Sequence, residues 1–373
     1  MKLNKLYFLA AIVSVVAFAS CNDDEMMMED PDPMLEIPSE YVSADFDANV
    51  TAENTVIDEL SAMTSAANDA EANAQSVAVD AIEYPSTLSS VTLDSYEAQV
   101  KDWLVELVAA ANSPDGFQTP AVGEAPAADQ DGGLLGSRLL DENGLELEQM
   151  IQKGSFGAAC YNHALTVING DLSESSAIDK LVEIHGADIA FDVSNTTAAA
   201  TYSRRRSDLT AQTGFFFDIK NNLITAKAAI EGGSDFDEER DQALADYLLN
   251  WEKSNFATVI YYANAAKTKI QDAASIQDQT EKDDALGSAM HSYAEGVAFA
   301  AGFRGISQKQ ITDAQIDGVL ALLLTPEGET PESHRFLTEV ALLANLDQVI
   351  DDIQAVYGFT DAEVNGFFVN NNP

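Results

Sequence analysis

The sequence predicts an all-α helical bundle behind a disordered N-terminal tether. Three observations carry this expectation. Apolar residues recur at three- and four-residue spacing through most of the chain, helix-start signatures punctuate it, and strand-type alternation is almost absent. With 373 residues, 46% of them hydrophobic, the chain is long enough to bury a sizeable core.

Residues 1–20 read as a lipoprotein signal peptide. Lys2 and Lys5 precede an apolar stretch from Leu6 through Ala17, and Ala19-Ser20 stand immediately before Cys21. Such a run is too short to be kept as a membrane span and has the form of a cleaved signal. Phe18-Ala-Ser-Cys21 resembles the bacterial lipobox, with Phe in place of the usual Leu or Val. That resemblance implies lipid attachment at Cys21 and a membrane held through the lipid. An ordinary signal with an incidental cysteine is the alternative. Residues 21–44 read as an acidic flexible tether: Asn22-Asp23-Asp24-Glu25, then Met26-Met27-Met28, then a Glu-Asp-Pro-Asp-Pro stretch without amphipathic period. Acidic residues directly after the cysteine resemble the export signal of Bacteroidota lipoproteins, which implies an outer-membrane protein exposed on the cell surface. A solvated linker on a periplasm-facing lipoprotein is the bland reading.

The helical domain is expected over 45–373, as one body or with a two-lobed division near 194–203. Helices are expected near 51–74, 95–111, 176–191, 203–230, 282–303, 307–324 and 333–357. The clearest is 144–170, where Leu147, Met150, Ile151, Ala158, Tyr161 and Leu165 form one stripe and Gly170 supplies the stop. From Ser234 to Leu286 there is no glycine or proline, which predicts one or two long helices. Ser176-x-x-Asp179, Ser307-x-x-Gln310 and Thr360-x-x-Glu363 have capping-box form, and Thr330 precedes Pro331 as a further start. Between 111 and 144, Pro114, Gly116, Pro120, Gly123, Pro126, Gly132, Gly133 and Gly136 interrupt the pattern, with room for one short strand pair. Gly154 and Gly157 predict close approach of another helix, and Phe215-Phe216-Phe217 predicts burial on more than one face.

Composition excludes several partners. Sixty-two acidic residues against 19 basic give a formal charge of −43, which repels nucleic acids and anionic lipid surfaces and attracts cations. Two cysteines make no disulfide framework, and four histidines limit histidine-containing metal sites. G-x-S-x-G, H-E-x-x-H, P-loop and G-x-G-x-x-G motifs are absent, so the common hydrolase, protease and nucleotide machineries lack their local signatures.

Two pairs are candidate metal ligands. His185 and Asp188 lie three apart on an expected helix, and His291 and Glu295 four apart on another, with Asp284 two turns earlier. Helical bundles assemble histidine and carboxylate sites from facing helices in this way. Surface or half-buried hydrogen bonds are the alternative for each pair. The acidic loop, Asp129-Gln130-Asp131 and Asp141-Glu142-Asn143-Gly144-x-Glu146-x-Glu148, carries oxygen ligands without EF-hand spacing; a solvated loop and acidic helix start is the default. Cys160 and His163 form C-x-x-H, against which stands a simple core cysteine. Arg204-Arg205-Arg206, the only basic cluster, is expected to pair with carboxylates rather than to bind an anion.

The segment 141–159, Asp-Glu-Asn-Gly-Leu-Glu-Leu-Glu-Gln-Met-Ile-Gln-Lys-Gly-Ser-Phe-Gly-Ala-Ala, resembles a family of Bacteroidota lipoproteins described as a domain of unknown function. Its H-W-D-E-A-F-like stretch is matched by His185-Gly-Ala-Asp188-Ile-Ala-Phe191, without the Trp, and its S-E-G-x-G-F helix by Ala294-Glu-Gly-Val-Ala-Phe299. That family is similar to imelysins, helical lipoproteins with a G-x-H-x-x-E motif. His185-x-x-Asp188 is the local counterpart, with Asp for Glu and Glu183 where the glycine would stand. The resemblance implies a non-enzymatic, imelysin-like lipoprotein that binds a divalent or iron cation and associates with an uptake receptor or another envelope protein. A structural or protein-interaction lipoprotein without metal is the alternative, and a metallopeptidase the third reading.

Overall fold

A computed structural model describes residues 34–373. The signal peptide, Cys21 and the methionine cluster lie outside the described residues. Residues 35–373 form one compact unit, with no division near 194–203. The fold is all-α, as expected.

The first helices are α1 (Phe46–Asn49), α2 (Thr51–Asn73), α3 (Ser86–Ser89) and α4 (Asp94–Asn112). The proline- and glycine-rich interruption follows and ends in a hairpin, β1 (Gly133–Leu135) and β2 (Arg138–Leu140). Gly132 and Gly136 have φ of +92° and +59°, conformations that glycine supplies at little steric cost. Next come α5 (Leu147–Ser155), a π-helical segment (Phe156–Tyr161) and α6 (Asn162–Ile168), which together fill the expected 144–170 helix. A methyl on Gly157 would lie 2.6 Å from the Gly302 carbonyl oxygen, so the glycines set the close approach predicted for them.

Helix α7 (Ser176–His185) is shorter than expected, because Gly186 takes a left-handed conformation at φ +93° and ends it. Its Asp179 is not a cap. The fully buried carboxylate accepts hydrogen bonds from Tyr41 Oη, Ser43 Oγ (2.7 Å), Asn49 Nδ2 (2.7 Å) and Lys227 Nζ (3.1 Å). Tyr41 and Ser43, inside the stretch expected to be tether, are therefore bound to the body.

The helix expected over 203–230 is two, α8 (Ala198–Arg205) and α9 (Phe215–Gly232), separated by a second hairpin, β3 (Ser207–Asp208) and β4 (Thr213–Gly214). Phe216 and Phe217 are buried, as their spacing predicts. The run without glycine or proline becomes α10 (Asp237–Ala273) and the start of α11 (Gln279–Ala301), with Asp278 capping α11 through Glu281 N. Asp237, Glu238 and Glu239 complement the dipole at the start of α10. Helices α12 (Asp313–Leu322), α13 (Leu343–Tyr357) and α14 (Asp361–Phe367) close the chain.

Of the capping signals, Thr360-x-x-Glu363 forms its box and Ser307-x-x-Gln310 does not. Thr312 and Gln315 cap α12 instead, while the amides of Gln310 and Ile311 donate to the buried carboxylate of Glu252. Thr330-Pro331 precedes only the 3-10 turn Ser333–Leu337. The core runs along α10, which packs against α9, α11 and α13, while α11 packs against α5. Trp251, Tyr161, Tyr247, Phe256 and Phe299 fill its centre.

Candidate functional site

The residues that position the site begin in a turn. Asp141 accepts hydrogen bonds from Asn143 N (3.0 Å) and Leu145 N (2.7 Å), and Gly144, at φ +87°, sits against the backbone of His334. Burial pushes the Asp141 carboxyl up to about 7. The turn delivers Glu146 to the head of α5 pointing inward, so the acidic loop is no calcium loop: Glu146 and Glu148 are 1% and 4% exposed, while Asp129 and Asp131 remain in solvent.

Glu146 meets His291 of α11, with its oxygens 2.9 and 3.0 Å from Nδ1. Each ring nitrogen thus faces a carboxyl group, Nδ1 that of Glu146 and Nε2 that of Glu295. Nε2 lies 3.6 Å from Glu295 Oε2, one turn along α11, so His291 and Glu295 come together as the sequence predicts. Burial holds His291 below the ordinary histidine range, and burial followed by the charge of Glu71 holds Glu146 well above the carboxylate range. At neutral pH the imidazole is neutral and available as a ligand or base. The His291 side chain is 22% exposed, which leaves a route from solvent.

Cations border the group. Arg138 stands 3.5 Å from both Glu146 and Glu71, and Lys153 Nζ stands 3.8 Å from Glu295 and over the ring of Tyr202. Lys269 donates to Ser288 Oγ (3.0 Å) and Ser292 Oγ (2.8 Å). Glu148, also pushed up to about 7 by burial, accepts a hydrogen bond from Gln149 Nε2. The signal in the sequence for these partners was a set of polar residues, Glu148, Gln149 and Lys153, on a helix otherwise read as apolar.

The other predicted pair is separated. His185 closes α7 and is fully buried; its Nε2 lies 3.0 Å from Ser203 Oγ, which lies 2.9 Å from Ser254 Oγ, and its ring packs on Trp251 at 4.8 Å between centroids. Nδ1 has no partner among the described residues, and burial drives the imidazole down to about 3. Asp188 lies beyond the helix end and accepts instead from Asp192 N (2.9 Å) and Asn195 Nδ2 (2.8 Å). The helical spacing that would have joined the two is broken at Gly186. His185 and Asp188 therefore form no ligand pair, and neither shares a hydrogen-bond partner with His291 or Glu295.

Cys160 and His163 do not converge either. The thiol is sealed in the core and pushed up to about 12, while His163 Nε2 lies 2.9 Å from Glu53 Oε1. Among the described residues the three arginines find no carboxylate; their partners are the end of α14, the segment after it and aromatic rings. Beside the Asp141 turn, a cleft of about 530 Å³ opens between 123–126 and 330–335, lined by Asn143 of the acidic loop and by His334, a residue that sequence reasoning did not single out.

Among the described residues no set of three or more His, Cys, Asp or Glu side chains is gathered as a metal ion requires, and no helix is long and apolar enough to cross a membrane. What the arrangement offers is two protein groups, His291 Nε2 and Glu295, with Glu146 behind the imidazole as an orienting carboxylate. Comparison with protein-family models, curated proteins and solved structures found no match to this chain.

Proposed function

We propose that the protein is a non-enzymatic, lipid-anchored cell-envelope protein of the imelysin-like type that binds a cation, iron among them, in association with uptake. The lipid at Cys21 holds it on the outer membrane, facing outward, where an uptake receptor or another envelope protein is its partner. The observation supporting this reading is the order Glu146–His291–Glu295. A carboxyl group hydrogen-bonded to one ring nitrogen fixes the orientation of the imidazole, as the outer partners of metal-ligating histidines do. Two protein groups leave the remaining positions of a cation to water or to a chelating ligand carried with it. The −43 charge concentrates cations at the surface.

A second reading, an interaction protein without metal, is favoured by Lys153 and Arg138. Their charges stand beside Glu295 and Glu146 where an ion's charge would otherwise act. Metal content and titration of the purified protein with iron, zinc, copper and calcium separate the two. Stoichiometric binding that disappears in His291→Ala and Glu295→Gln supports the uptake site. Absence of binding by all four metals leaves the interaction reading.

A further inference from the structure

The chain has seven arginines, and four of them, Arg138, Arg240, Arg304 and Arg335, each hold a carboxylate within 4.0 Å. Arg204, Arg205 and Arg206 hold none among the described residues, in a protein with 62 acidic residues. Arg204 and Arg206 are each 6% exposed, and the Nε atoms of all three are buried without a partner among the described residues.

What does touch them is neutral. Arg206 donates to the Phe367 carbonyl and the Asn370 side chain, and Arg204 reaches the Asn371 carbonyl at 3.5 Å. Arg205 and Arg206 lie over the rings of Tyr202 and Tyr261, at 5.1 and 4.5 Å. Asn371 is tied down in turn by Arg205 O and Ser207 O. The end of α8 contributes roughly half a negative charge, far less than three guanidiniums carry. Burial lowers Arg204 and Arg206, and the charge of Arg205 lowers both further, so the group is electrostatically frustrated.

We propose that Arg204, Arg205 and Arg206 form a binding site for the phosphoryl group of a small ligand, covered by residues 367–371 as a displaceable strap. Guanidinium forks match the oxygens of phosphate, and bonds between two charged groups are stronger than those to the carbonyls now in place. Three positive charges suit a dianion better than a single carboxylate. The acidic surface repels extended polyanions, so the ligand is small.

The test is titration of the full chain with inorganic phosphate at constant ionic strength in chloride, followed through the arginine Nε–H signals in ¹H–¹⁵N spectra. Phosphate is expected to shift the Nε–H signals of all three residues saturably. Half-exposed Arg205→Gln should weaken binding by about tenfold, the loss of one charge-assisted contact. Asn370→Ala and Asn371→Ala loosen the strap and should tighten binding, a sign opposite to that of a purely structural role. No phosphate-specific shift in either the wild type or the strap variants would overturn the site. Weaker binding in the strap variants would overturn the cover, and acetate binding as tightly as phosphate would overturn the phosphoryl assignment.

Discussion

His185 and His291 are the same side chain in two neighbouring parts of one bundle, and almost everything about them differs. His185 is enclosed by Ser203, Ser254 and Trp251, with no carboxylate on either nitrogen. His291 stands between Glu146 and Glu295 with part of its ring in solvent. Sequence spacing paired each with an acidic residue on the same expected helix. The difference lies in whether the helix continues: α11 runs on past His291 for more than two turns, and α7 stops at His185. Function on a helix face depends on the helix surviving to the second residue.

The largest effect is expected at the sealed histidine. His185→Ala removes a wholly buried ring and leaves Ser203 without one partner, which should cost about 2–4 kcal/mol of stability. Urea unfolding would measure this, and metal affinity of the folded variant should be unchanged. A variant as stable as wild type would show that the pocket is not packed as described.

On the other side, Glu146→Gln keeps the shape of the orienting group and replaces its carboxyl with an amide. Loss of such an orienting partner lowers metal affinity by about 10–100-fold, so calorimetric titration should show that decrease while the fold persists. Equal affinity in Glu146→Gln and wild type would separate Glu146 from any metal chemistry and reduce the contrast between the two histidines to burial alone.

The two regions also respond oppositely to pH. Folding lowers His185 from 6.5 to about 3, so between those values the unfolded chain binds a proton that the folded one does not. Its contribution is present above 6.5 and falls as pH falls, by at most about 1.4 kcal/mol per pH unit. Asp141 and Glu148 are raised from 3.8 and 4.5 to about 7, so their contribution is full at low pH and lost as pH rises toward 7. Glu183, also raised to about 7, and Glu146, held well above its ordinary range, act in the same direction, so four carboxyls against the His185 imidazole predict a net gain of stability on going from about pH 7 to about pH 5. Asp141→Asn with Glu148→Gln should reduce that slope, and unfolding curves across the range would show it. A slope unchanged by the double substitution would mean that other groups set the pH response.

Much of the fold could be read before the structure. The stripe from Leu147 to Leu165, the long run from 234 onward and the Thr360–Glu363 box depend on local periodicity and capping, and they appear as α5 with α6, α10 with α11, and α14. Less legible was everything decided across the chain. Asp179 has the spacing of a cap, yet Tyr41, Ser43, Asn49 and Lys227 arrive from far away and claim it. Arg204–Arg206 look like surface charges seeking acids, yet the segment after α14 covers them. One of the two predicted pairs, His291 and Glu295, comes together because i and i+4 is a local relation. Glu146, 145 residues from His291 in sequence, could not be assigned by any spacing rule.

The smallest effect is expected where the sequence drew a ligand and the structure draws a loop. Asp188 is half-buried and holds Asp192 N and Asn195 Nδ2, stabilising the turn after α7 and nothing beyond it. Asp188→Ala removes two local hydrogen bonds at a site open to water, and such bonds contribute about 1 kcal/mol or less each because water replaces them. Thermal unfolding should therefore drop slightly, with metal binding and the pH slope unaltered. If Asp188→Ala instead abolished metal binding, the helix break at Gly186 would not separate the two histidine regions in solution, and the comparison between them would fail at its root.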